Sequence, residues 1–244
     1  MVAERDLGPD LRGPWSLPRS NGELSSTPLA TLRVVTRAGV FRRVGAGLAL
    51  LAGVATGACG DDGPDELSGA VRSPALDVAG VSLPAVGEDG SAETLAMRAP
   101  PDELYLVYFG YTSCPDVCPT TMSDISVALE DLPDDLADRV TVAMATVDPE
   151  RDTAEVVAGY LDHFFDRSLA LRTTDPAALA AATDAFGVQF EVEAHAPGEA
   201  YDVAHSAVTY VVDDTGTVVV EWPFGFDSEA MTSDLRILLE EEHA

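Results

Sequence analysis

The rhythm of hydrophobic and polar positions changes several times along this chain, and the changes outline an alternating body. Leu104 to Phe109 (LYLVYF) is an unbroken apolar run of aromatic and β-favouring residues, the pattern of a strand covered on both faces. Behind Pro119, residues Met122, Ile125, Leu129 and Leu132 recur at helical spacing until Pro133 stops the pattern. Val140 to Val147 predicts a second central strand. Asp152-Thr153 suits the cap of a helix whose Val156, Val157, Tyr160, Leu161 and Phe164 share one face. An Ala-rich helix is predicted from Pro176 to Phe186, ended by Gly187. Residues Val188 to Val203 alternate around Ala196-Pro197-Gly198-Glu199, which predicts a hairpin. Strands from Ala207 to Val212 and from Val218 to Trp222 flank the turn Asp213-Asp214-Thr215-Gly216, and Ser228 to Glu241 reads as a closing helix. Upstream, residues 71–98 hold short apolar alternations broken by Pro74, Gly80, Pro84 and Gly90, as in an opening hairpin. This order predicts an α/β fold: a central sheet with helices on both faces, an N-terminal hairpin and an inserted hairpin near 188–203. No internal repeat and no Gly-rich phosphate loop interrupts it.

Before that body the pattern changes character. Val44 to Ala58 is an apolar run of 15 residues behind Arg42-Arg43, ending in small residues at Cys59. A bilayer span takes about 20 residues, so the run suits the core of an export signal better than a membrane helix. Thr56-Gly57-Ala58-Cys59 resembles a bacterial lipobox, with Thr56 where Leu is usual, which makes Cys59 the candidate for lipidation. Residues 1–58 are therefore expected to be a disordered extension and signal peptide, with a natural start near Val34 to Val40. Residues 59–69 (CGDDGPDELSG) are expected to be a lipid-anchored tether, and 70–244 the folded domain, held on the extracytoplasmic face of a bacterial cell membrane.

Charge narrows the partners. All 14 basic residues are arginine, and seven of them precede Val44; from Cys59 onward, seven arginines face 38 acidic residues. Such a body repels nucleic acid and anionic headgroups, so no nucleic-acid partner is expected, and membrane contact is expected only through the anchor.

Three cysteines are present. With Cys59 assigned to the anchor, one close pair remains, Cys114 and Cys118 in FGYTSCPDVCPTTM, at the carboxyl end of a central strand where open α/β sheets place their sites. A helix opening at Cys118 or Pro119 aims unsatisfied N–H groups and a positive dipole end at the sulfurs and favours thiolate. Two thiolates in consecutive turns suit Cu(I), zinc or a disulfide, and the pair alone does not choose among them. Of the four histidines, His163 lies in a helix pattern, His195 on the proposed hairpin and His243 in the tail. His205 stands at the mouth of a strand (AHSAVTYVV), from which a side chain can reach the sulfurs, although spacing alone leaves its role open. Asp116 reads as a solvent-facing turn former, and Met122 and Met144 as core.

FGYTSCPDVCPTTM, then VDPERDT from Val147 to Thr153, then YDVAHSAVTYVVDDTG from Tyr201 to Gly216, together resemble the Sco/SenC family of copper chaperones across roughly residues 70–242. The resemblance implies a thioredoxin-like fold in which Cys114, Cys118 and His205 bind copper as Cu(I) and Cu(II). Asp148 is placed either behind a ligand, orienting it, or as a turn residue before Pro149. The chain departs from the family pattern at Ala204, where an acidic residue is common.

The resemblance implies a metallochaperone that delivers copper to, or matures, the dinuclear copper site of cytochrome c oxidase subunit II or another copper protein, rather than an enzyme. The alternative is a thiol-disulfide oxidoreductase acting on cysteines of an exported target, with Cys114 and Cys118 as its redox pair and Cys114 attacking. A peroxide-reducing or cytochrome-maturing relative of thioredoxin comes third. General thioredoxin-type oxidoreductases have a two-residue spacer and a proline facing it, whereas this chain has a three-residue spacer and His205-Ser206, with no Pro between 200 and 210. That favours metal over purely redox work.

Overall fold

The computed structural model describes residues 66–87 and 91–241. The expected signal segment, Cys59 and His243 lie outside the described residues. Among the described residues, nine strands and five helices follow in chain order: β1 (Ser82–Val86), β2 (Ala92–Ala96), β3 (Leu104–Gly110), α1 (Val117–Glu130), α2 (Asp134–Ala137), β4 (Val140–Thr146), α3 (Ala154–Leu161), β5 (Ser168–Leu171), α4 (Pro176–Phe186), β6 (Phe190–Val192), β7 (Val203–His205), β8 (Val208–Val212), β9 (Val218–Pro223) and α5 (Ser228–Glu241). Seven strands form one sheet in the order β2-β1-β5-β4-β3-β8-β9, and β6 pairs with β7 in a separate ribbon.

β3 lies between β4, its parallel partner, and β8, its antiparallel one. All seven of its residues are buried, as are all seven of β4, which is why both read as unbroken apolar runs. Side chains alternate across the sheet, so neighbours in β3 report what covers each face. Tyr108 points to α1, where its hydroxyl meets Cys118. Phe109 points the other way, onto Phe186 of α4, at 5.1 Å between ring centroids. Helices therefore cover both faces, as the element order implies. On the α1 side, Thr232 of α5 donates to the Ala128 carbonyl and Ser126 donates to the Phe164 carbonyl just beyond α3.

The caps explain the helix limits. Thr153 Oγ1 accepts the Val156 N–H and starts α3, which frees Asp152 to turn inward. Asp175 caps α4, and Gly187 ends it at φ 70°, a left-handed conformation that glycine adopts without strain.

Two elements were not expected from the pattern. β5 (Ser168–Leu171) is four residues long, between Arg167 and Arg172, and too short to show a period. It earns its place by pairing with both β4 and β1, joining the N-terminal hairpin to the main sheet. α2 is a single turn after Pro133. The inserted hairpin is present, but with pairing confined to three residues per strand and His205 inside it, opposite Phe190, rather than at the mouth of β8.

Candidate metal centre

The loop from Tyr111 to Asp116 leaves the carboxyl end of β3 and enters α1, which places Cys114 before the helix and Cys118 in its first turn. The loop is held from below by Asp152, fully buried at 0% exposure. Its carboxylate accepts the Thr112 N–H at 3.1 Å, the Thr112 hydroxyl at 2.5 Å and the Thr146 hydroxyl at 2.6 Å. A buried carboxylate satisfied three times fixes the loop relative to the end of β4.

The sulfurs of Cys114 and Cys118 and a ring nitrogen of His205 lie within 4.8 Å of one another. His205 Nε2 is 3.4 Å from the Cys118 sulfur. Its other nitrogen, Nδ1, is 3.1 Å from the Ser206 carbonyl oxygen, which can only accept, so Nδ1 carries the proton and Nε2 offers its lone pair to the sulfurs. Burial holds the His205 pKa below its ordinary value, partly offset by the Ser206 and Phe109 carbonyls, and keeps the ring neutral. Two tyrosines meet it edge-on: Tyr108 at 6.0 Å and Tyr111 at 5.6 Å between centroids.

The two thiols differ, although the helix start suggested a common push toward thiolate. Burial pushes Cys114 up, but the backbone N–H groups of Cys118, Asp116 and Val117 favour its thiolate more strongly, and the net direction is down. The Cys118 N–H stands 3.4 Å from that sulfur. Burial pushes Cys118 up to about 12, with Cys114 adding to the rise and the Tyr111 backbone and Tyr108 hydroxyl offsetting part of it. Both cysteines are free, Cys114 half-buried and Cys118 buried.

Asp148, 2% exposed, does not bond the donors directly. Its carboxylate accepts the Tyr201 hydroxyl at 2.7 Å and pairs with Arg151 Nε. Arg151 also donates to the Tyr201 carbonyl at 3.0 Å, and its guanidinium lies 3.8 Å from the Tyr201 ring centroid and 5.5 Å from that of Tyr111. On the ribbon side His195 stacks on Tyr201 with ring centroids 3.7 Å apart. Tyr201 leads directly into β7, so this layered contact fastens the strand that carries His205. Asp116 is exposed and stands at the N-cap of α1, where its carbonyl accepts from the Thr120 N–H and hydroxyl. Met122 and Met144 are fully buried in the core. Beside His205 a cleft of about 390 Å³, lined by Gln189, Phe190, Glu191, Ala204, His205 and Ser206, opens to solvent.

The SCO1/SenC family model matches residues 89–240, more than half of the chain. The chain belongs to this family. An SCO2-like protein of Rickettsia prowazekii is 38% identical over 114 residues, covering 46% of this chain and 55% of that protein, so the chain spans about half the length of this relative. Among solved structures, apo Sco1 of Thermus thermophilus superposes with a TM-score of 0.60 at 33% identity, over 71% of this chain and 97% of that one. Copper-bound ScoI of Bradyrhizobium japonicum superposes at 0.54 with 32% identity, over 64% and 96%. The architecture of this SCO1/SenC member is accordingly the thioredoxin-like one.

The structure thus gathers Cys114, Cys118 and His205, and leaves His163 apart, exposed and bound to the Gly159 carbonyl. Sequence reasoning passed over Arg151 and Tyr201 and read Asp152 only as part of a helix cap, although each lies inside a quoted motif. It also passed over Tyr108, because an aromatic residue in an apolar run reads as core.

Proposed function

We propose that Cys114, Cys118 and His205 bind one copper ion and that the protein is a copper metallochaperone. Its acceptor is the dinuclear copper site of cytochrome c oxidase subunit II, which it supplies or matures. The observation that carries the reading is the convergence of two sulfurs and one imidazole nitrogen within 4.8 Å. Two soft sulfurs suit Cu(I), and a neutral imidazole extends the set to Cu(II). The oxidase acceptor, export and a lipid anchor at Cys59 follow from the family resemblance and the N-terminal sequence.

The chain's own residues divide the work of holding and releasing the cargo. Cys114 offers a sulfur already biased to thiolate. Cys118 gives up its proton when the ion arrives. His205 rides on the β6–β7 ribbon, outside the main sheet, and faces an open cleft through which an acceptor's ligand can approach.

Titration of metal-free protein with Cu(II) tests the assignment. One equivalent should give a sulfur-to-copper charge-transfer band, absent in His205→Ala. An unchanged band in that variant defeats the ligand set.

The asymmetry of the thiols favours a second reading, a thiol-disulfide oxidoreductase. The half-buried Cys114 attacks a target disulfide, and Cys118 then displaces the target's second sulfur, so the target gains two thiols as Cys114 and Cys118 form a disulfide. A reduction potential for this pair below about −300 mV supports that role in an oxidising compartment, and a much higher value opposes it.

A further inference from the structure

Tyr108 is fully buried in β3, one residue beyond reach of the motif that names the cysteines. Its phenol stands 3.7 Å from the Cys118 sulfur, within the longer range that sulfur acceptors allow. The same ring presents itself edge-on to His205, so one side chain touches two of the three donors. Space for this arrangement depends on Gly110. A Cβ there would stand 2.7 Å from Tyr108 Cε1 and 2.9 Å from the Cys118 sulfur, closer than real contacts permit.

We propose that Tyr108 is a positioning residue of the metal centre, whose O–H donates to the Cys118 sulfur and tunes how readily that sulfur gives up electron density. A donated hydrogen bond lowers the energy of the sulfur lone pairs. It therefore stabilises reduced sulfur relative to disulfide, and it raises the energy needed to move charge from sulfur to copper. The copper half of this inference rests on the function proposed above, whereas the disulfide half does not.

Tyr108→Phe removes the donor and keeps the ring, so the packing against Gly110 and His205 survives. Two measurements test it. In metal-free protein, the Cys114–Cys118 disulfide is equilibrated with dithiothreitol, which passes two electrons and two protons to the protein sulfurs as it closes its own disulfide. The equilibrium constant for reducing the protein should fall about fivefold, the worth of one net hydrogen bond. In Cu(II)-loaded protein the charge-transfer band should move to lower energy. Tyr210→Phe, which deletes a buried phenol on the opposite face against Phe109 and Phe186, should change neither. If Tyr108→Phe matches the wild type in both measurements, the proposal is overturned. Should wild-type protein give no band with Cu(II), the copper reading falls and the thiol equilibrium alone decides the role of Tyr108.

Discussion

His205 Nε2 stands 3.4 Å from the sulfur of Cys118, 87 positions away along the chain. Neither residue reaches the other through the sheet alone. Cys118 arrives from the first turn of α1, and His205 arrives from a three-residue ribbon strand that Tyr201, Arg151 and Asp148 fasten down. The donor set is therefore as rigid as that fastening.

Replacing Asp148 by Ala leaves the Tyr201 hydroxyl without its acceptor and Arg151 without its carboxylate. Losing partners of buried polar groups costs about 1–3 kcal/mol, so the thermal midpoint should drop clearly. On the proposed ligand set, in which His205 completes the site for Cu(II) and the two sulfurs suffice for Cu(I), the looser ribbon should weaken Cu(II) more than Cu(I). Calorimetry for stability and competition titrations for both oxidation states check this. Equal losses for the two ions would place the contact's importance elsewhere.

The thiols should separate by reactivity. Cys114 is half-buried with its pKa lowered, while Cys118 is buried with its pKa near 12. Only thiolate attacks an alkylating reagent. At neutral pH iodoacetamide should modify Cys114 at least about tenfold faster than Cys118. Mass mapping of partly alkylated protein reads the ratio directly, and similar rates would contradict the asymmetry.

Copper affinity should climb with pH. The Cys118 thiol keeps its proton up to about 12 in the metal-free protein, so binding through both sulfurs expels at least that proton. One proton released means about tenfold tighter apparent binding per pH unit near neutrality. A flat profile between about pH 6 and 8 would show that Cys118 is not a ligand.

Metal-free stability should fall on the acid side. The folded pKa of His205 is held below its ordinary value of about 6.5, so below that value the unfolded chain takes up the proton first. The stabilisation is complete above about pH 6.5 and is lost as pH drops through the folded value. Denaturant melts from neutral to mildly acid pH should show the decline, and His205→Gln should flatten it.

Much of the architecture was legible because burial leaves direct marks on sequence. The unbroken runs of β3 and β4 mark strands covered on both faces, Pro176 and Gly187 bracket α4, and Pro133 closes the α1 pattern. β5 was not legible, since four residues show no period and its role comes from pairing with β1 and β4. Cys114, Cys118 and His205 stood out by chemical type. Tyr108 did not, because an aromatic residue in an apolar strand carries no sign of the partner its hydroxyl will find.

The order of the longer elements, where the helices begin and stop, and the inventory of soft donors were set by the chain itself, because periodicity, capping and residue type act over a few neighbouring positions. Which donors meet, which sulfur keeps its proton and what clamps the histidine were decided only by the tertiary structure. Those properties depend on burial and on distances between segments that the linear order leaves free. The same three donors, held differently, would be two ordinary thiols and a surface imidazole.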